Sequence, residues 1–350
     1  MALTGIQIFK LLPKTNCGKC GVPTCLAFAM NLAAGKAELS RCPAVSEEAK
    51  AQLQEASAPP IRPVTIGTGA RALKIGGETV MFRHEKRFES PPGLAVILSD
   101  TMADAEINDR LMRANQLQYE RVGLTLRPEL VAIKDTANDP VKFEALVGKV
   151  TKDTDCGIIL MSNNPDILEA GLKACTGRKP LLYATTKENW ERVAGLAKTN
   201  SCSVAVKGTN LDEVVDLTTK LNQAGINDIV IDSGSRTMRQ AFQDQIIIRS
   251  SALTKKFRPL GFPTIIFPCE MTKDPMMETM IASVFIAKYG GIIVLSDFRG
   301  ESLFPLLVER MNIFTDPQRP LATTQGVYEI GKPTETSPVL ITTNFSLTYF

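Results

Sequence analysis

Four of the eight cysteines fall within the first 42 residues: Cys17, Cys20, Cys25 and Cys42, spaced C-x2-C-x4-C-x16-C. Four thiolates are what an iron–sulfur cluster or a structural zinc ion requires. A zinc ribbon pairs two C-x2-C knuckles, whereas here one knuckle is followed by two isolated cysteines, the last of them before Pro43. Cys-Pro is also a feature of ferredoxin-type ligation. The asymmetric spacing favours a [4Fe–4S] cluster held by Cys17, Cys20, Cys25 and Cys42, with zinc as the alternative. Gly18 and Gly21 lie between these ligands, where a tight loop calls for positive φ and backbone N–H groups turned toward sulfur. Cys156, Cys175, Cys202 and Cys269 are scattered, and read as small buried apolar residues. His84 is the single histidine, which argues strongly against a Ser-His-Asp triad and His-based metal catalysis. No acid–base pair stands out, and no residue is assigned as catalytic.

The elements that must position the thiols are short. Residues 5–12 read as a helix ending at Pro13. Thr24 is an N-cap candidate for a helix that Gly35 would stop. A third helix should start at Ser46 and run to about Glu55. Ala58-Pro59-Pro60-Ile61-Arg62-Pro63 reads as a stiff linker. The cysteine domain is therefore expected over residues 1–57, and a linker with an extended arm over 58–92. In that arm, Val64–Ile66 and Thr79–Phe82 suggest a hairpin.

From residue 93 the pattern becomes regular. Eight apolar runs follow, at 94–98, 130–133, 157–161, 181–184, 203–206, 228–231, 264–267 and 291–295. Strands buried on both faces read this way. Helical patterns separate them, among them 105–118, 189–198, 211–223 and 276–288. Eight βα units over 93–316 predict an α/β fold, a (β/α)8 TIM-like barrel preceded by a small N-terminal iron–sulfur domain. No G-x-G-x-x-G follows a strand, which weakens a dinucleotide-binding reading. Polar residues recur after the strands, including Lys134-Asp135, Ser162, Lys207, Asp232 and Glu270. They suit either N-caps or the ligand-facing end of a barrel. Residues 317–350 read as a linker and a terminal strand. Thr342, Asn344, Ser346 and Thr348 would share one face of that strand, and its apolar face calls for the body of the protein or for a further domain or subunit.

Composition narrows the classes. The 350 residues carry 40 basic and 37 acidic side chains, a net charge of +3 that does not suggest nucleic acid. No apolar run is long enough to span a bilayer, and the N-terminus lacks a signal-peptide pattern. A cytoplasmic protein is expected, in which clustered cysteines mean metal rather than disulfides.

Four segments together carry a resemblance: 12–30 (LPKTNCGKCGVPTCLAFAM), Phe82-Arg83-His84-Glu85-Lys86-Arg87-Phe88, Arg178-Lys179-Pro180-Leu181-Leu182-Tyr183-Ala184 and Thr342–Tyr349. Along essentially its whole length the chain resembles the large subunit of the corrinoid iron–sulfur protein, the gamma subunit of the acetyl-CoA decarbonylase/synthase complex. That resemblance implies a methyl carrier. It would take a methyl group from methyl-tetrahydrofolate or a methyl-pterin and deliver it to acetyl-CoA synthase, with a [4Fe–4S] cluster reducing inactive Co(II) to Co(I). It implies Cys17, Cys20, Cys25 and Cys42 as cluster ligands, and Thr342 and Thr348 as hydroxyls reaching the corrinoid (cobamide). The implied partners are the small subunit of a heterodimer, acetyl-CoA synthase/CO dehydrogenase and the methyltransferase. Family members continue into a corrinoid-binding domain beyond the position of Phe350, so this chain alone is not expected to hold the corrinoid stably. The alternative reading is an iron–sulfur electron-transfer module whose barrel is a docking platform.

Overall fold

The computed structural model describes residues 4–33, 37, 39–46, 48–50, 53, 59–316 and 321–349. It divides into two units, Met1–Pro59 and Pro60–Phe350.

In the first unit, a helix over Gly5–Leu11 starts with a reciprocal capping box between Thr4 and Gln7. A second helix spans Cys25–Ala33, and the Thr24 hydroxyl accepts from Ala27 N–H at 3.1 Å, as an N-cap should. The expected stop at Gly35 and half of the helix expected from Ser46 lie outside the described residues; residues 48–50 and 53 are helical, and the Ser46 hydroxyl accepts from Ala49 N–H at 3.2 Å. Ile8, Leu12, Phe28, Ala29, Val45, Ala49 and Leu53 form a small core that also contains Cys25 and Cys42. So few apolar side chains make a marginal core, and small domains of this kind commonly depend on a metal for added stability.

The second unit is a closed parallel barrel. A hairpin comes first: β1 (Val64–Ile66) and β2 (Leu73–Ile75), paired antiparallel. The barrel strands are β3 (Gly93–Ser99), β6 (Leu130–Lys134), β7 (Gly157–Met161), β8 (Leu181–Thr185), β9 (Ser203–Lys207), β10 (Ile229–Asp232), β11 (Ile265–Ile266) and β12 (Ile292–Leu295). Between β3 and β6, β4 (Tyr119–Arg121) and β5 (Leu124–Leu126) make a separate two-stranded ribbon. The sheet order is β10-β9-β8-β7-β6-β3-β12-β11, and a parallel bridge from Ile231 to Thr264 joins its ends. All eight apolar runs are strands, and they are continuous in hydrophobicity because both faces are buried. Leu94, Val96, Leu98, Val131, Ile133, Val204 and Val206 face the surrounding helices. Ala95, Leu130, Ala132, Ile159, Ala205, Val230, Phe267 and Val294 fill the interior.

The β1–β2 hairpin closes the end of the barrel where the strands begin. Val64, Ile66, Leu73 and Ile75 join the interior cluster and are all at most 8% exposed. Gly93 opens β3 because a Cβ there would stand 2.3 Å from a Leu73 methyl. The expected hairpin partner, Thr79–Phe82, is not a strand; its place is taken by Leu73–Ile75. The expected linker also differs from expectation in its second half. Arg62 N–H donates to Gly261 C=O at 2.9 Å, Gly77 N–H donates to Ile61 C=O at 2.9 Å, and Ile61 is buried. Residues 60–63 are thus built into the barrel unit.

Two segments of the resemblance have structural work. Arg83 donates to the carbonyls of Asn312, Ile313 and Thr315, at the end of the helix over Gly300–Phe314. Arg178 donates to the carbonyls of Thr151, Thr154 and Cys156, at the end of the helix over Pro140–Asp153. Both neutralise orphan carbonyls at a negative helix terminus. The basic run at 83–87 therefore contains a helix cap and is not simply a solvated face. His84 itself is exposed and stacks on Phe82.

The terminal strand expected over 339–350 is not formed. Phe345 makes one bridge to Ala322, flanked by Thr323 N–H to Asn344 C=O and Ser346 N–H to Leu321 C=O. From Ser346 the chain turns into a short helix ending at Tyr349. An alternating pattern becomes a strand only where a ladder partner exists. Residues 321–323 supply one bridge, and the next N–H, that of Thr348, bonds locally to Phe345 C=O.

Candidate functional site

The cysteine loop is organised by left-handed backbone. Asn16, Gly18 and Gly21 have φ of 48°, 69° and 84°, and Gly21 N–H closes a turn on Gly18 C=O at 2.9 Å. A Cβ built on either glycine would meet nothing within 4 Å, so it is the left-handed backbone and not crowding that calls for glycine here. Cys17 is exposed, Cys20 half-buried, and Cys25 and Cys42 buried. Cys20, Cys25 and Cys42 belong to one cluster with Phe28 and Val45. Cys17 stands outside it, and its thiol is held below the ordinary value, first by the Lys19 backbone N–H and then by Thr15. Among the described residues, no three His, Cys, Asp or Glu side chains stand close enough to hold a single metal ion. Four thiolates, three of them on one loop, are the donor set of a four-iron cluster. When bound, it supplies one-electron transfer.

Asn16 ties the loop together. Its side-chain oxygen accepts from Cys25 N–H at 2.8 Å, and its own N–H donates to Cys25 Sγ at 3.4 Å. Spacing rules pointed at the cysteines and passed over this residue.

A second polar cluster lies at the opposite end of the barrel from the hairpin, where the strands finish. Arg236 donates to both oxygens of Asp232, at 3.0 and 2.7 Å, to the Tyr183 hydroxyl at 3.1 Å and to Glu270 at 2.5 Å. Tyr183 donates to Asp232 at 2.7 Å, and Lys134 to Glu270 at 3.2 Å. The Arg236 guanidinium sits 4.8 Å from the centre of the Phe267 ring. Burial works against the Arg236 charge, but Asp232 outweighs it, with Tyr183 and Glu270 adding to the rise. Burial, reinforced by Asp232, pushes the Tyr183 phenol well above its usual range, so it stays a donor. Glu270 is pushed up by burial yet ends below its ordinary value because Arg236 and Lys134 hold it ionised. Opposite charges thus satisfy one another at the place where a barrel enzyme would bind substrate. Lys134, Asp232 and Glu270 were visible as polar residues after strands. Tyr183 and Arg236 were not, although Gly234 between Asp232 and Arg236, at φ 80°, marks the reversal that brings them together.

Thr342 and Thr348 do meet, but through a turn and not along a strand face. The Thr342 hydroxyl donates to Thr348 C=O at 3.3 Å, the Thr343 and Thr348 hydroxyls pair, and Thr342 and Thr348 are exposed. The four scattered cysteines are all buried, as read from the sequence. Desolvation pushes Cys175 up to about 11, and Cys202 and Cys269 up to about 12, so these thiols are poor nucleophiles.

The model of the CO dehydrogenase/acetyl-CoA synthase delta subunit family matches residues 63–350, and that of an Fe-S cluster family matches residues 12–44. The corrinoid/iron-sulfur protein large subunit of Moorella thermoacetica is 43% identical over 350 residues, covering 100% of this chain and 78% of that protein. The chain belongs to the corrinoid iron–sulfur protein large-subunit family. Acetyl-CoA decarbonylase/synthase gamma subunits are similar along the same span: 37% identity for gamma 1 of Methanosarcina mazei and 35% for that of Methanopyrus kandleri, each covering 99% of this chain and 77% of the relative. Among solved structures, 7,8-dihydropteroate synthase from Vibrio fischeri is similar at 13% identity and a TM-score of 0.48, over 68% of this chain and 100% of that one. Within the large-subunit family, the Fe-S model falls on the cysteine loop and the delta-subunit model on the barrel unit. No helix among the described residues is long and apolar enough to cross a membrane.

Proposed function

We propose that this chain is the large subunit of a methyl carrier that takes a methyl group from methyl-tetrahydrofolate or a methyl-pterin and delivers it to acetyl-CoA synthase. In this reading Cys17, Cys20, Cys25 and Cys42 hold a [4Fe–4S] cluster whose electron returns an inactive Co(II) corrinoid to Co(I). The observation that carries the reading is the set of four thiols in one small unit, three on the Cys17–Cys25 loop and Cys42 in the same core as Cys25, in a chain whose family membership extends over its full length. The loop gives the cluster three thiolates, Cys42 gives the fourth, and Asn16 N–H is turned toward one of the sulfurs. The barrel serves as scaffold and docking surface for the small subunit, for acetyl-CoA synthase/CO dehydrogenase and for the methyltransferase. Its mouth carries the Arg236–Asp232–Tyr183–Glu270–Lys134 cluster, whose charges satisfy one another, which supports a role other than substrate binding there. Thr342 and Thr348 are exposed hydroxyls, able to meet the amide side chains of a corrin ring held in the assembled complex.

The domains follow the same division of labour: residues 1–57 for the cluster, 58–92 for the connection and hairpin, 93–316 for the barrel, and 317–350 leading toward the corrinoid. Anaerobic purification followed by iron and sulfide analysis and EPR of the reduced protein tests the cluster. About four irons per chain are expected, lost in Cys42→Ser. Stoichiometric zinc without labile sulfide would overturn the assignment.

The mutually paired charges at the barrel mouth also favour a plain electron-transfer module in which the barrel only docks. Titration of the small-subunit complex with a cobamide separates the two readings. Binding that weakens in Thr342→Ala/Thr348→Ala favours the carrier, and no binding favours the electron-transfer module.

A further inference from the structure

Asn16 occupies a position with two demands. Its backbone is left-handed, at φ 48°, a region in which asparagine is several-fold enriched over other non-glycine residues. Its side chain must also reach across nine residues to the first amide of the helix over Cys25–Ala33. That amide is one of the N-terminal donors with no partner inside the helix. The Asn16 carbonyl oxygen satisfies it at 2.8 Å, while the Thr24 hydroxyl takes Ala27 N–H at 3.1 Å, so the two share the capping of this terminus. The return bond, from Asn16 N–H to Cys25 Sγ at 3.4 Å, falls on the most buried sulfur of the loop, in a residue 6% exposed. Both bonds join the same two residues, one beside Cys17 and the other Cys25 itself. They close the loop that carries the first three thiols, running from an exposed Asn16 to a buried Cys25.

We propose that Asn16 is a positioning residue of the cluster site. Its side chain latches the Cys17–Cys25 loop, and its backbone N–H draws charge from the Cys25 sulfur, so that one residue governs both retention of iron and the reduction potential. The proposal rests on the reading of Cys17, Cys20, Cys25 and Cys42 as [4Fe–4S] ligands. Hydrogen bonds to cluster sulfurs stabilise the more negative, reduced state and raise the potential. A buried thiolate within reach of one amide has few other such donors to fall back on. The chemistry of the side chain matters as well. Aspartate would keep the acceptor for Cys25 N–H but add a negative charge beside the sulfur. Glycine would keep the backbone shape without the latch, and alanine would lose both.

The test uses the full chain, purified anaerobically, with three readouts: iron and sulfide content, iron release to a strong ferrous chelator, and an EPR-monitored redox titration. Asn16→Gly and Asn16→Ala should release iron about two- to tenfold faster, the range set by one net hydrogen bond. Asn16→Asp should release iron within about twofold of the wild type, because the latch survives. Asn16→Ala and Asn16→Asp should both titrate at lower potential than wild type, the first because its retained backbone N–H swings away from the Cys25 sulfur once the latch and the left-handed turn relax, and the second from the added charge. If Asn16→Ala holds no iron, the other two decide. Iron retained by Asn16→Asp supports the latch, and iron retained by Asn16→Gly but not by Asn16→Asp overturns it. Full iron with unchanged release and potential in all three variants would remove Asn16 from the site and leave the cluster reading intact. Wild-type protein without iron and sulfide would instead remove the cluster reading, and this inference with it.

Discussion

Replacing Arg236 by glutamine should destabilise the barrel more than replacing its partner Asp232 by asparagine. The Asp232 side chain is 3% exposed and that of Arg236 24%. Without the guanidinium, Asp232 keeps the Tyr183 hydroxyl and the Gly234 N–H at 2.8 Å but loses the cation that Arg236 brings to both of its oxygens. A buried charge left without its partner costs about 3–5 kcal/mol. The stacking of Arg236 on Phe267 adds about 1 kcal/mol to the loss. In Asp232→Asn, Arg236 keeps Glu270 and some solvent; the amide oxygen still accepts, while the new NH2 group faces donors and loses one bond, so the expected cost is about 1–3 kcal/mol. The double variant should be more stable than Arg236→Gln alone, because no buried carboxylate remains. Trp190 is the sole tryptophan and opens the barrel helix over Trp190–Asn200, so its fluorescence during urea unfolding reports on this unit. A cost below about 1 kcal/mol for Arg236→Gln, or strict additivity in the double variant, would refute a coupled buried network at the barrel mouth.

Other consequences are equally direct. Leu73→Ala empties part of the hairpin plug and should cost about 2–5 kcal/mol in the same unfolding assay; a loss under 1 kcal/mol would mean that the hairpin does not contribute to the core. Arg178→Ala removes the donor to the carbonyls of Thr151, Thr154 and Cys156 and should cost about 1–3 kcal/mol, with hydrogen exchange rising first at the end of the helix over Pro140–Asp153. Glu270 has a folded pKa below its ordinary 4.5, so the unfolded chain binds the proton first as pH drops. Its contribution to stability is complete above about pH 5 and fades as pH falls through 4.5 toward the folded value. Glu270→Gln should therefore have a shallower acid side than wild type in pH-dependent urea melts, and identical slopes would contradict the assignment.

The strand ends illustrate how residues that were readable one by one acquired meaning together. Lys134 and Asp232 end β6 and β10, Glu270 lies four residues past β11, and local rules could assign each only to capping or to a ligand. Closure of the barrel brings them, with Tyr183 from β8, around Arg236. The same holds for Arg83 and Arg178, which sit in motifs of the family resemblance. Each caps a helix well separated from it in sequence, Arg83 by about 230 residues.

What the sequence determined by itself is what local chemistry encodes. The thiol spacing, the eight two-sided apolar strands and the Thr24 helix start all follow from residue type and period. Only the tertiary structure decided the register of the hairpin, the fate of the last twelve residues and the partners of Asn16 and Arg236. A strand pattern does not say which neighbour will complete its ladder, so Leu73–Ile75 displaced Thr79–Phe82, and the segment from Val339 ended in a helical turn. A hydrogen bond across nine residues, or an ion pair across a barrel mouth, depends on where the backbone returns, and only packing of the whole chain sets that.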